Sequence, residues 1–180
     1  VGIAVVGIGT SMLLTDDPRW LQWHLSRLGE GGHISSGIFN LTLCLVALLF
    51  VVIGERLYAK IGTRAWLLRL LFFVVAVGWV GLASFPYDRF PMIHNSFGYG
   101  GMSVLALIMI ALPRICPGFS TKVYLYGVSV AIITLLLMVG YHLSQQITLL
   151  VVELVGEAFL AGWLLLLTYD ARRFARDSPK

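Results

Sequence analysis

Five long apolar stretches take up most of this chain, and they limit the folds that it can adopt. They cover residues 36–57, 65–84, 94–113, 123–142 and 147–169. Each has about the 20 residues that a helix needs to cross a hydrocarbon core roughly 30 Å thick. The sequence therefore predicts an all-α fold, a polytopic membrane helix bundle.

A sixth apolar stretch, residues 1–14, is too short to cross a membrane alone. Because the chain does not begin with Met, we expect it to continue upstream and this stretch to be the end of an incomplete first helix. A signal peptide is disfavoured, because no basic segment precedes the stretch and no small-residue cleavage site follows it. With this helix included, the prediction is one bundle domain over residues 1–180 with six transmembrane helices.

The amino-acid composition argues against a separate soluble domain. Charged residues make up 12% of the chain and hydrophobic ones 58%, whereas roughly a quarter of an average soluble domain is charged. The loops are short except the first outer one, residues 15–35. There Pro18 follows Asp17, which can cap a helix, and Trp20 and Trp23 suit the lipid headgroup level. The sequence therefore predicts an interfacial helix over residues 18–28.

Basic residues are sorted by side, which predicts the orientation of the bundle. Three of the thirteen, Arg19, Arg27 and Arg89, fall in outer loops. The other ten fall in the opposite loops and the tail: Arg56, Lys60, Arg64, Arg69, Arg114, Lys122, Arg172, Arg173, Arg176 and Lys180. The positive-inside rule then predicts a multi-pass protein of the bacterial plasma (inner) membrane with both termini cytoplasmic. Anionic lipid accounts for the basic collar, so no nucleic-acid partner is predicted.

All four histidines fall on the predicted outer side, and this clustering points to a site. They are His24, His33, His94 and His142. Two carboxylates, Glu153 and Glu157, lie inside the last apolar stretch near the same side, on one helix face. Because two close carboxylates in a low dielectric should not both ionise, one should hold a proton or bind a cation. The sequence predicts a polar site that opens outward.

The predicted ligand-binding residues share an outer position and a polar side chain. They are His24, Ser26, Asn40, Asp88, His94, Asn95, Tyr99, His142, Gln146, Glu153 and Glu157. Four of them are the candidates for catalysis: His94, His142, Glu153 and Glu157. For several of these residues a structural role is the competing interpretation, with His94 capping or hydrogen-bonding within the bundle. Ser26 is in no nucleophile elbow and has no base close to it in sequence, so it is interpreted as a surface or cap residue.

The spacing of the candidate ligands along the sequence gives little support to a metal or cofactor site. His94, His142 and Glu153 are weak candidates for a zinc-type site, but they come from separate segments without an H-x-x-x-H or C-x-x-C pattern. Paired histidines could bind haem axially, yet here they lie at one edge of the bundle rather than within its helices. No metal and no cofactor are predicted.

Four short motifs carry a family resemblance. They are Ser26, Leu28 and Gly29 in the first outer loop; Phe39 and Asn40 near the start of the second helix; Phe85 and Pro86 after the third; and His94 opening the fourth. In order and spacing, over about residues 1 to 170, they resemble the DUF998 family of small bacterial membrane proteins. The resemblance implies a six-helix bundle and, more remotely, similarity to the Frag1/DRAM group, which is linked to lipid handling. Arg27 stands where the family often has Asp, so no acidic role is carried over to that loop.

Three functions remain open. The favoured one is an outer pocket that binds membrane lipid or another amphiphile, in a protein that can also be an accessory subunit beside other membrane proteins. The second is a membrane-embedded lipid hydrolase or transferase with His94, His142 and Glu153 as acid, base or metal ligands. The third is a proton- or ion-coupled carrier that uses Glu153 and Glu157. Whether the protein is an enzyme is left undecided by the sequence.

Overall fold

The computed structural model describes the backbone of residues 2–144 and 146–177, and the side chains of all of these except residues 18, 19 and 173–177. Regular structure in these ranges is helical, without a strand, which confirms the predicted all-α fold. The α-helices are α1 (Gly2–Leu14), α2 (Ile34–Ile61), α3 (Trp66–Ser84), α4 (Pro91–Ile115), α5 (Thr121–Leu143) and α6 (Leu149–Asp177). Arg173, Arg176 and Lys180, which the sequence assigns to the inner side, have side chains outside the described set, as does Arg19.

Four helical stretches of the described chain are long and apolar enough to cross a membrane, as in a multi-pass membrane protein. They are Ile34–Ser84, Pro91–Ile115, Thr121–Leu143 and Leu149–Arg172. The first has 51 residues and contains both α2 and α3, joined by a 3₁₀ turn at Gly62–Ala65. Gly62 has a φ of 80°, a left-handed conformation that glycine adopts without strain, and α3 turns back there against α2. The shorter apolar helix α1 packs against α2, where Ser11 Oγ donates to the carbonyl of Ser35.

Neighbouring helices run antiparallel, and they approach closely where glycines have no side chain to keep the backbones apart. A Cβ on Gly78 of α3 would lie 3.4 Å from the Cα of Gly101 in α4, so the two backbones meet almost directly. The sequence predicts close approach at Gly98, Gly100 and Gly101. Gly101 makes that contact and Gly98 lies beside Leu82, whereas Gly100 faces open space.

Aromatic side chains pack across the helix interfaces of a mostly aliphatic interior. Phe50 of α2 lies with its ring centroid 5.9 Å from that of Phe72 and 6.3 Å from that of Trp79, both in α3. Trp163 of α6 is completely buried, and its indole N–H donates to the carbonyl of Val123 at 3.2 Å. The buried indole therefore has its polar group satisfied while its ring fills the space between α5 and α6.

The outward faces of the helices are as apolar as the interior. Phe73 is 54% exposed, Leu107 52% and Leu135 63%, and each is surrounded by other exposed aliphatic or aromatic residues. A helix in water buries one apolar stripe and solvates the opposite face, whereas a membrane span is apolar on all sides. These faces therefore suit contact with lipid tails.

The first outer loop departs from its prediction, because residues 18–28 do not form one interfacial helix. Two 3₁₀ turns, Pro18–Leu21 and Leu25–Gly29, are separated by an extended His24 with φ −155° and ψ 155°. The reason is that α6 takes the backbone groups that would continue the helix. Leu150 N–H donates to the carbonyl of Trp23 at 3.1 Å, and the Glu153 carboxylate accepts the N–H of Leu25. We call residues 20–30 the lid.

The glycine contact between α3 and α4 gives a stability prediction. Gly78→Val should lower the free energy of unfolding by about 1–3 kcal/mol, because its side chain would press on the α4 backbone, which cannot rotate away. Gly100→Val, with nothing within 4 Å of its Cβ, is the matched control and should change little. Thermal unfolding in detergent measures both, and equal melting temperatures for the two variants would contradict the packing described.

Candidate functional site

A cavity of about 720 Å³ lies beneath the lid, between the parts of α2, α3, α4, α5 and α6 that are nearest to the lid. It gathers eight of the eleven ligand-binding residues that the sequence predicts. These are His24, Ser26, His94, Asn95, Tyr99, His142, Glu153 and Glu157. Residues as far apart along the chain as His24 and Glu157 therefore meet around one volume, because antiparallel helices bring their ends together.

Three predicted site residues lie elsewhere. The amide Nδ2 of Asn40 donates to the Gly29 carbonyl at 3.1 Å, so Asn40 holds the end of the lid rather than a ligand. Asp88 lines a second cavity of about 490 Å³, together with Asp17 and Arg27. Gln146 is exposed at the turn between α5 and α6 and does not line the main cavity. These three residues do not line the main cavity, and their assignment to a ligand site stays a prediction.

Ser26 joins two histidines in a directed chain of hydrogen bonds. His94 Nδ1 lies 2.8 Å from the Phe85 carbonyl, which can only accept, so this nitrogen carries the proton. With a neutral ring, His94 Nε2 is then an acceptor, and the hydroxyl of Ser26, 3.2 Å away, donates to it. Ser26 Oγ in turn accepts from Nδ1 of His24 at 2.9 Å. His94 lies 68 positions from Ser26 along the chain, so the sequence around Ser26 could not indicate this partner.

Tyr87 packs between the two imidazoles and keeps water away from them. Its ring meets His24 edge-on at 5.0 Å between centroids and His94 edge-on at 5.9 Å. The two histidines are only 7% and 6% exposed. The pKa of His24 is lowered from 6.5 to about 4, first because burial penalises the imidazolium and then because charge on His94 and Arg27 repels it. His24 is therefore neutral near pH 7, and among the described residues its Nε2 has no hydrogen-bond partner.

The two glutamates of α6 differ in their surroundings, although they share one helix face. Glu153 accepts the backbone N–H of Leu25 and so fastens the lid to α6. Glu157 lies one turn deeper, lines the cavity and makes no hydrogen bond or ion pair with the described residues. Glu153 is thus engaged in holding the lid, whereas the carboxylate of Glu157 is available to a ligand.

The weak candidates for a metal site are not assembled as ligands. Within the described residues, no three His, Cys, Asp or Glu side chains are grouped closely enough to hold an ion. Both ring nitrogens of His94 are engaged, and Glu153 is bonded to the lid. His142 is exposed at the cavity rim, with its ring tilted on Tyr141 at 4.9 Å.

Two contributors to the site were missed in the sequence: Tyr87 and the carbonyl of Phe85. Both belong to the loop between α3 and α4, which the sequence presents as a rigid turn because of Pro86 and Pro91. Every residue has a backbone carbonyl, so the identity of Phe85 could not reveal this hydrogen-bond acceptor. Tyr87, in contrast, stands beside Asp88 in a loop on the histidine side, and that position was an available signal.

Comparison with known proteins finds no family model, no curated protein and no solved structure that matches this chain. The resemblance to the DUF998 family therefore stays a prediction, and the functional argument rests on the geometry of the cavity.

The bond between Glu153 and Leu25 predicts how firmly the lid is held. Glu153→Ala removes a charge-assisted acceptor and should raise amide hydrogen exchange in residues 20–30 by roughly 10- to 100-fold. Glu55→Ala is the control, because it removes an exposed carboxylate that pairs with Arg69 at 2.6 Å at the other end of the bundle. Hydrogen exchange with mass spectrometry measures both, and an unchanged lid in the Glu153 variant would refute the assigned fastening.

Burial of neutral His24 predicts a pH dependence of stability. Because its pKa is about 4 in the folded protein and 6.5 in an unfolded chain, its contribution is complete above pH 6.5 and is lost as the pH falls toward 4. The melting temperature in detergent should fall across this interval. His24→Asn keeps an N–H donor for Ser26 but does not titrate, so its melting temperature should fall less. Parallel curves for the two proteins would show that His24 is not the group responsible.

Proposed function

We propose that this chain is a six-crossing protein of the bacterial inner membrane whose outer cavity binds a lipid or another amphiphile. In this arrangement α1 to α6 are the six crossings, and the C-terminus lies in the cytoplasm. The lid then covers the cavity on the outer side, at the level of the lipid headgroups.

The distribution of charge supports this orientation. Nine basic residues have described side chains, and seven of them belong to one end of the bundle: Arg56, Lys60, Arg64, Arg69, Arg114, Lys122 and Arg172. The lid end has Arg27 and Arg89. The positive-inside rule assigns the basic end to the cytoplasm, and a cluster of this kind attracts the anionic lipid of the cytoplasmic leaflet.

The observation that carries the proposed function is the change in the lining of the cavity, from polar near the lid to apolar deeper in the bundle. Its volume of about 720 Å³ falls within the roughly 300–1,000 Å³ of small-molecule sites. Near the lid its wall contains His24, Ser26 and His94, and deeper in the bundle the wall becomes mostly apolar, with Leu43, Trp79, Leu105 and Leu160. A molecule with a polar head and an apolar tail matches both parts.

Two unsatisfied polar groups indicate what the head of the ligand should offer. Nε2 of neutral His24 is a buried acceptor without a partner in the described part of the chain. A buried acceptor that stays unpaired costs about 1–3 kcal/mol, so a ligand that donates to it gains binding energy. Glu157 also accepts, or donates when protonated. A head with hydroxyl, amine or amide hydrogens would satisfy these groups.

Filling the cavity should displace the ligand, and the chain offers a matched pair of glycines in α4. Gly98 lines the cavity, and its Cβ would meet only Leu82 at 3.5 Å, so Gly98→Phe should fold while occupying ligand space. Gly100→Phe adds the same ring on a face with nothing within 4 Å. Lipid retained after detergent purification should fall about tenfold in the first variant and stay at the wild-type level in the second, as counted by mass spectrometry.

Other results of this measurement would change the proposal. Equal lipid in all three proteins would mean that the retained molecules coat the outer faces of the helices. A partner protein retained in stoichiometric amount, without lipid, would instead identify the chain as an accessory subunit of a membrane complex.

A further inference from the structure

The row of Ser26, His94 and the Phe85 carbonyl has the arrangement of a nucleophile, its base and the group that orients the base. We propose that Ser26 and His94 form the nucleophile and general base of a membrane-embedded serine hydrolase that cleaves acyl esters of lipids. This inference rests on the proposed function, because it assigns a reaction to the ligand of the same cavity.

The distances fit nucleophile activation. Ser26 Oγ lies 3.2 Å from His94 Nε2, within the roughly 2.6–3.2 Å expected between a nucleophile and its base, which is often looser without substrate. The hydroxyl is the donor in this bond, as the protonation of His94 Nδ1 requires. The proton that must leave Ser26 is therefore already directed at the atom that would receive it.

His94 is held in one ring orientation by two contacts from the loop between α3 and α4. It lies in the first turn of α4, where Pro91 starts the helix. Its Nδ1–H donates to the carbonyl of Phe85, the residue that follows α3, and the edge of Tyr87 packs on its ring. An acceptor at Nδ1 fixes the tautomer and stabilises the imidazolium that forms during the reaction, the role of the carboxylate in a Ser-His-Asp triad.

His24 completes the site as a positioning residue. Its Nδ1–H donates to Ser26 Oγ at 2.9 Å, on the side opposite His94, and so holds the hydroxyl between the two rings. Once Oγ bonds to a carbonyl carbon, that N–H lies beside the tetrahedral centre and can donate to its oxyanion. Because the Tyr87 ring and the lid bury His24, the donor acts where water does not compete.

The length and the apolar lining of the cavity suit a substrate with an acyl chain. It extends from Leu149 to Leu160 along α6, about 16 Å at 1.5 Å per residue, and its deep wall is mostly apolar. An acyl chain in this part would bring its ester to the level of Ser26 in the lid. The alcohol half of the ester would then meet the polar rim, where Tyr99 and His142 lie.

The chemistry balances with water as the only co-reactant. His94 Nε2 takes the hydroxyl proton as Ser26 Oγ bonds to the ester carbon; the ester C–O bond then breaks, and the leaving alcohol takes the proton from Nε2. In the second half, Nε2 takes a proton from water, whose oxygen bonds to the acyl carbon. The Ser26–acyl bond breaks, and Oγ takes the proton back. The products are one alcohol and one carboxylic acid.

The test is covalent labelling of the wild-type protein in detergent with an alkyl fluorophosphonate. The expected result is one label per chain, located on Ser26 by peptide mass spectrometry. Labelling should be absent in Ser26→Ala and at least about 100-fold slower in His94→Gln, because the base is lost. Ser96→Ala is the matched control, since Ser96 is exposed in α4 and bonds only to the carbonyl of Met92, and its labelling should equal the wild type.

The same samples separate the reaction from ligand binding. Purified wild-type protein in phosphatidylglycerol vesicles should release fatty acid, and Ser26→Ala should release none. Folded wild-type protein that retains lipid but is not labelled at Ser26 and releases no fatty acid would overturn the inference and leave the proposed function intact. Absence of both labelling and retained lipid would overturn the two together.

Discussion

The attachment of the lid to α6 is the interaction on which the rest of the outer end depends. Two hydrogen bonds make it: Leu150 N–H to the Trp23 carbonyl, and Leu25 N–H to the Glu153 carboxylate. They keep His24 extended between two short turns, so that Ser26 faces His94 rather than solvent. They also satisfy backbone groups that a broken helix would leave exposed. Without this attachment, Ser26 would no longer be held against His94, and the cavity would lose its cover.

The helices could be predicted from the sequence because the bilayer imposes one length and one polarity on each of them. The stretch predicted at residues 123–142 is α5 (Thr121–Leu143), and the one at 65–84 is α3 (Trp66–Ser84). The clustering of His94, His142 and Glu153 could be predicted for the same reason, since antiparallel spans bring their ends together. The internal structure of the lid could not be predicted from the sequence. It is fixed by a bond between residues 128 positions apart, and local pattern contains no information about such a partner.

The residues that carry the family resemblance lie in separate segments of the sequence, yet several of them are in contact. Asn40 donates to the Gly29 carbonyl, and a Cβ on Gly29 would lie 3.0 Å from the ring of Phe39. His94 bonds to both Ser26 and Phe85. Every one of these contacts either ends the lid or orients the histidine. The spacing of the short motifs is thus explained by one structural requirement, that the lid be held against the starts of α2 and α4.

The path of a ligand into the cavity follows from where the helices separate. The inner part of α4 packs closely on α5, where the Cβ of Met109 lies 3.3 Å from a Cβ placed on Gly127, whereas the cavity lies between their outer parts. The cavity reaches the surface at its rim, where Tyr99 and His142 are exposed. An amphiphile of the proposed kind would enter there from the membrane, between α4 and α5, with its tail in an apolar environment. The hydrogen-bonded row from His24 to Phe85 then stays assembled while the ligand arrives, so a site of this kind is organised before its ligand binds.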